Sequence, residues 1–180
     1  MRITGGVLLN RQVKVPAGII RPAMDKMRES IFAILGNLLD MSFLDLFSGS
    51  GIMALEAASR GATYIEAVEK DPLKRKTLLE NAKISPVRIN CKFMSAELYV
   101  KRAKRPFDFV FCDPPFDYEY KAELITSITG SALMKENTTL IIHHPKEDFR
   151  DKLPENLRLI DNREFGLSVV NFYGYCHPQI

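Results

Sequence analysis

The sequence predicts an α/β protein built on a mostly parallel sheet with helices on both faces. Two observations predict it. Between residues 42 and 143, short apolar or β-branched runs alternate with helical-period segments. Such alternation demands parallel strands joined by helical crossovers. The run Phe107-Asp108-Phe109-Val110-Phe111-Cys112 is apolar almost throughout, which suits a strand covered on both faces. It breaks at Asp113-Pro114-Pro115-Phe116, where two consecutive prolines donate no hydrogen bond and hold φ near about −65°. The chain leaves the sheet there in a stiff turn carrying a carboxylate, bare carbonyls and an aromatic ring. Ligands of open α/β sheets sit beyond the carboxyl ends of the strands. The plainer account of the same residues is a strand stop with an exposed Asp.

Taken in order, residues 2–15 predict a β-hairpin turning at Gly5-Gly6. Pro16, Gly18 and Pro22 mark a loop, and residues 23–39 carry Met24, Met27, Ile31, Phe32, Ile34, Leu35 and Leu38 at helical spacing. Residues 42–47 form the first strand, 52–59 a helix closed by Gly61, and 62–68 the second strand. Asp71-Pro72 opens a helix to about residue 83, with Asp as N-cap and Pro in the first turn. A third strand covers 87–94, a short helix 96–103, the fourth strand 109–112, a helix 120–129 and a fifth strand 138–143. Residues 157–164 and 167–175, separated by Gly166, predict an antiparallel hairpin. With no long linker or repeat, the 180 residues predict one domain, 1–22 being a basic hairpin and loop and 23–180 a catalytic core.

Composition narrows the function. Hydrophobic residues make up 46% and charged residues 26%, ordinary for a globular protein, and no apolar run approaches the roughly 20 residues of a membrane span. The start, Met1-Arg2-Ile3-Thr4-Gly5-Gly6, lacks a secretory apolar region. Three scattered cysteines, Cys91, Cys112 and Cys176, predict a reducing cytoplasm. They form no metal-spacing pattern with His143, His144 and His177, so no metal is expected. The net charge of +3 is small, but residues 1–30 hold six basic side chains (Arg2, Arg11, Lys14, Arg21, Lys26, Arg28) against Asp25 and Glu29, a net +4. A second basic cluster, Lys101-Arg102 and Lys104-Arg105, precedes the fourth strand. Basic runs are most often plain solvated surface, but two of them near one site shift the balance toward an anionic partner.

The first strand-to-helix turn reads Asp45-Leu46-Phe47-Ser48-Gly49-Ser50-Gly51. Its glycines permit a tight turn and a ligand close to the backbone. It is neither the dinucleotide fingerprint, since Ala54 stands where a third glycine belongs, nor a phosphate-binding loop, since no Gly-Lys-Ser/Thr follows. Asp45 would repel a pyrophosphate and attract a cationic amino group. Glu69 ends the second strand, where an acid commonly binds ribose hydroxyls; a helix-flanking charge is the bland alternative. Ser95-Ala96 ends the third strand where a base-binding loop lies, and Ser95 serves equally as a helix N-cap.

An adenosine cleft with an acid beside a cationic amino acid describes S-adenosylmethionine. Together with Asp113-Pro114-Pro115-Phe116, these motifs resemble a Rossmann-like class I methyltransferase of exocyclic amines. Arg21-Pro22 followed by Asp25-Lys26-Met27-Arg28-Glu29-Ser30-Ile31-Phe32 is similar to the bacterial 16S ribosomal RNA guanine-N2 methyltransferase family. The resemblance covers nearly the whole chain. It implies a seven-stranded sheet and S-adenosylmethionine as donor, held by Asp45, Phe47, Ser48, Gly49, Gly51, Glu69, Ser95, Ala96 and Asp113. It implies a guanine amine of ribosomal RNA as acceptor, within the small subunit or its assembly intermediate. Asp113 and Pro114 would accept the amine N–H bonds and Phe116 would stack on the base. Arg11, Lys14, Arg21 and Arg28 are expected to contact phosphates. A DNA adenine or cytosine amine methyltransferase uses the same chemistry but needs a target-recognition domain for which 180 residues leave no room. A protein or small-molecule methyltransferase and a non-catalytic RNA-binding module are the remaining rivals.

Overall fold

The computed structural model describes residues 1–16, 25–148 and 153–176. Its α/β fold is a seven-stranded, mostly parallel sheet with five α-helices among the described residues. The chain divides into two compact units, Met1–Ser95 and Ala96–Ile180.

The first unit contributes three parallel strands in the order β3-β2-β1: β1 (Ser42–Asp45), β2 (Tyr64–Val68) and β3 (Ile89–Lys92). All of β1 is buried, and β2 is buried from Ile65 onward. That explains their near-continuous apolar character. Helix α1 (Asp25–Leu35) stops four residues before the periodicity does. Gly36 takes φ +70°, and its amide donates to the Phe32 carbonyl at 3.1 Å, closing the helix in a left-handed cap. Helix α2 (Ile52–Ser59) is buried along its whole length and packs on β1 and β2. Asp71 caps the next segment by accepting from Leu73 N at 2.9 Å; a 3₁₀ turn over Pro72–Lys74 then leads into α3 (Arg75–Ala82).

The amino-terminal segment departs from the expected hairpin. Met1–Ile3 lies antiparallel to residues 11–13, with a single bridge from Arg2 to Gln12, while Gly6–Leu8 forms a 3₁₀ turn where strand was expected. The cause is α2. Ser59 Oγ donates to the Gly5 carbonyl at 2.5 Å and accepts from Leu8 N at 2.8 Å. A Cβ on Gly6 would lie 1.9 Å from the Ser59 carbonyl oxygen, so the loop closes on the helix only because Gly6 has none. Gly5-Gly6 therefore serves docking rather than a two-residue turn.

The second unit holds α4 (Ala96–Arg102), β4 (Phe109–Cys112), α5 (Lys121–Thr129), β5 (Thr139–Pro145), β6 (Leu157–Phe165) and β7 (Ser168–Tyr175). Its strands run β4-β5-β7-β6. β4 and β5 are parallel, while β7 is antiparallel to both β5 and β6. Gly166, at φ +62°, turns the final hairpin. The core here is Val110, Phe111, Ile125, Ile128, Leu140, Ile141, Ile142, Val170 and Phe172, each at most 1% exposed.

Candidate functional site

In the first unit, Asp45, Phe47, Ser48, Gly49, Gly51 and Glu69 gather at the carboxyl ends of β1 and β2, while Ser95 follows β3. Asp45 ends β1 and is buried; the Ser48 hydroxyl donates to its Oδ2 at 2.8 Å. The Ser48 amide donates to the Val68 carbonyl at 2.9 Å, which ties the turn to β2. Gly49 and Gly51 take φ +54° and +81°, which only glycine adopts without cost. Glu69 follows β2 directly. Its Oε2 accepts from Gly49 N and its Oε1 from Asp71 N, both at 2.8 Å, so the carboxylate is fixed before any ligand arrives. Each oxygen still has a second lone pair. A Cβ on Gly49 would meet nothing within 4 Å, whereas one on Gly51 would strike Leu78 Cδ1 at 2.7 Å. The open side of the loop is therefore over Gly49. An acid fixed at one oxygen pair, a buried second acid and open backbone at Gly49 fit an adenosine-linked amino acid. Phe47 and Ser95 are half-buried, and buried Ala96 is the first residue of α4.

In the second unit, Asp113 lies one residue beyond the Cys112–Ile142 pair of β4 and β5, level with His143. Its Oδ1 stands 2.9 Å from His143 Nδ1. Pro114 is buried, Pro115 exposed and Phe116 half-buried. The Phe116 ring meets the His143 ring edge-on, with centroids 5.4 Å apart. Lys121, almost wholly buried, donates from Nζ to the Phe116 carbonyl at 2.6 Å and pairs with Asp148 at 3.1 Å. The Asp-Pro-Pro-Phe turn is thus held at both ends. Tyr118 hydrogen-bonds Glu97; burial, reinforced by that carboxylate, pushes its phenol far above the usual range.

Residues 1–174 match the family model described as Conserved hypothetical protein 95. Ribosomal RNA small subunit methyltransferase D from Escherichia coli strain K12 is 30% identical, the alignment covering 96% of this chain and 89% of that protein. The chain belongs to this methyltransferase family. The protein of the same name from Haemophilus influenzae is 28% identical over 96% of this chain and 93% of that one. The solved structure of yhhF from Escherichia coli is 27% identical, with a TM-score of 0.87 and coverage of 97% of both chains.

Among the basic residues expected of this methyltransferase, Arg11 and Lys14 are exposed, Lys14 pairing with Glu80 at 2.8 Å. Arg21 lies outside the described residues. Arg28 requires a correction. It is fully buried, donating to Glu56 Oε1 at 2.9 Å, to Asp25 Oδ1 at 2.7 Å and to the Arg2 carbonyl at 2.7 Å. Such a guanidinium organises the amino-terminal segment and does not meet phosphate. Sequence reading also passed over His143, which it weighed only as a metal ligand. Asp113 follows the apolar residues of β4 and His143 follows the apolar run Leu140–Ile142 within β5, and only the register between the two strands brings them together. Among the described residues, no group of three or more His, Cys, Asp or Glu is placed to hold a metal, and no helix is long and apolar enough to cross a membrane.

Proposed function

We propose that the chain methylates the exocyclic N2 amine of a guanine in small-subunit ribosomal RNA, with S-adenosylmethionine as donor. The single observation that carries this reading is the rigid Asp113-Pro114-Pro115-Phe116 turn at the end of β4, with Asp113 braced by His143. The names of the relatives support ribosomal RNA as the substrate class.

S-adenosylmethionine supplies an electrophilic sulfonium methyl when bound. Glu69, fixed by the Gly49 and Asp71 amides, accepts from the ribose hydroxyls with its remaining lone pairs. Asp45 meets the amino group, and the open backbone at Gly49 admits the ligand. Phe47, Ser48 and Gly51 complete the turn, and Ser95 and Ala96 would hold the adenine.

A guanine amine is a poor nucleophile because its lone pair is delocalised into the ring. Asp113 and the Pro114 carbonyl each accept one of its N–H bonds, which orients the nitrogen and concentrates electron density on it. Phe116 stacks on the flipped base. No strong base is needed, because the alkylated nitrogen becomes acidic and gives its proton to Asp113 or water. Arg11, Lys14 and Arg21 position the RNA through phosphates. The reaction takes place in the cytoplasm, on the small subunit or an assembly intermediate.

Transfer of tritiated methyl groups to ribosomal RNA and to DNA, followed by nucleoside analysis, tests the reading. N2-methylguanosine from ribosomal RNA is the expected product. Methylated adenine or cytosine from DNA, or no transfer despite cofactor binding, overturns it.

A further inference from the structure

The amine clamp has a brace that the catalytic motif itself does not contain. β5 runs parallel to β4 and in register from Phe109↔Thr139 to Cys112↔Ile142. Continuing that register by one residue sets Asp113 beside His143 with both side chains on one face. β7 approaches β5 from the other side, antiparallel, with Ser168 opposite Pro145. His143 and Pro145 share a face, so Ser168 is the diagonal neighbour of His143. The side chains meet as the register requires. Asp113 Oδ1 is 2.9 Å from His143 Nδ1, His143 Nε2 is 2.8 Å from Ser168 Oγ, and Ser168 Oγ is 3.1 Å from the Phe165 carbonyl.

Hydrogen-bond bookkeeping fixes the direction of this chain. An ionised carboxylate can only accept, so Nδ1 must carry a proton facing Asp113. The Ser168 hydroxyl either donates to Phe165 and accepts from Nε2–H, or turns to donate to a bare Nε2. In both arrangements the Nδ1–H···Oδ1 bond stands. The His143 side chain is only 12% exposed, and that of Asp113 is 24% exposed. The brace is therefore the more covered partner and the carboxylate the more accessible one. Phe116 rests edge-on against the same imidazole, so a single ring supports both the acceptor and the stacking surface.

We propose that His143 is a positioning residue for methyl transfer. It engages Asp113 Oδ1 so that Oδ2 is presented to the amine, and Ser168 fixes its ring. This rests on the assignment of Asp113 as the amine acceptor. Catalytic constellations need such support, because a misplacement of about 1 Å can cost roughly a hundredfold in rate.

The test measures kcat and KM on small-subunit ribosomal RNA, cofactor affinity by calorimetry, and melting temperature. His143→Ala is expected to lower kcat roughly tenfold to a hundredfold while cofactor affinity holds within about twofold. His143→Asn, whose amide can still donate to Asp113, is expected to recover most of the loss. Ser168→Ala is expected to show a smaller loss in the same direction. Wild-type kcat in H143A overturns the proposal, as does an H143N variant no better than H143A. If H143A does not fold, S168A decides: a lower kcat at an unchanged melting temperature supports the brace, and an unchanged kcat removes it. Asp113→Asn separates the two layers. Turnover retained in D113N removes the clamp reading itself, whereas an inactive D113N beside a fully active H143A removes only the brace.

Discussion

Glu69 Oε2 accepts the Gly49 amide at 2.8 Å, so the acid that ends one strand holds the glycine turn that follows its neighbour. The ribose contact proposed for Glu69 therefore depends on charge and on a prearranged position. Glu69→Gln is expected to weaken S-adenosylmethionine binding roughly tenfold to a hundredfold, the usual worth of hydrogen bonds to a charged group. Calorimetry checks the affinity, and RNA affinity should not change. Cofactor binding equal to wild type would remove Glu69 from the site.

The same loop gives a contrast between two glycines. Gly49 faces open space, and Gly51 faces Leu78. Gly49→Ala meets only the left-handed penalty of about 1–2 kcal/mol in the fold, while its new methyl stands where the ligand is proposed to lie. Its cofactor affinity is expected to fall by much more than its modest loss in melting temperature implies. Gly51→Ala adds a clash with the core, so stability and affinity should fall together. Thermal melts with and without S-adenosylmethionine separate the two patterns.

Arg28 and Glu56 are both fully buried and joined at 2.9 Å, with Arg60 also on Glu56. Thr4 N and Oγ1 donate to the same Glu56 oxygen at 2.8 and 2.9 Å, so this pair anchors the amino-terminal segment to α2. Arg28→Met removes one charge and leaves a buried carboxylate short of a partner. The expected loss is about 3–5 kcal/mol, read from urea unfolding midpoints. A near-neutral result would show that Arg60 alone compensates the carboxylate.

Arg28 also marks where sequence reading runs out. Apolar runs located β1, β2, β4 and β5 because strands buried on two faces write their burial directly into composition, while the mostly exposed β6 was located by the turn at Gly166. The Asp-Pro-Pro-Phe turn and the glycine turn were legible because proline and glycine act locally. Whether a basic residue is surface or core depends on partners far away in the chain. Glu56 lies 28 residues beyond Arg28, and no local pattern announces the pair. His143 was missed for a related reason: its role comes from the register between β4 and β5, which is a property of two strands and of neither alone. The Gly5-Gly6 pair misled because a hairpin turn and a close helix contact make the same demand for a residue without Cβ.

His144, next along β5, should make stability depend on pH. It is buried, donates from Nδ1 to the Pro145 carbonyl at 2.7 Å and accepts from Asn171 Nδ2 at 3.0 Å, an arrangement that needs the neutral ring. Burial lowers its proton affinity below the ordinary histidine range. The native state then binds fewer protons here than the unfolded chain, and stability rises with pH wherever that is so. The contribution is complete above the unfolded value of about 6.5 and is lost progressively as pH falls below it. The urea midpoint is expected to drop between pH 7.5 and 5.5, and His144→Gln to flatten part of that drop. Asp25, which Arg2 and Arg28 hold below the usual carboxylate range, loses its contribution only at lower pH and does not confuse the window.

Exposure separates the basic residues into two groups with opposite expected behaviour. Arg11 is exposed, while the guanidinium of Arg28 is enclosed by Asp25, Glu56 and the Arg2 carbonyl. A phosphate contact releases counterions, and each one adds roughly 0.7–0.9 to the slope of log affinity against log salt. Arg11→Ala is expected to weaken ribosomal RNA binding and to reduce that slope by about one such step, with cofactor affinity and melting temperature unchanged. Arg28→Met is expected to lower stability and leave the slope as it was. Filter binding at several salt concentrations reads both. An unchanged slope in the Arg11 variant would place the RNA path elsewhere, with the exposed cluster Lys101, Arg102, Lys104 and Arg105 the next surface to probe.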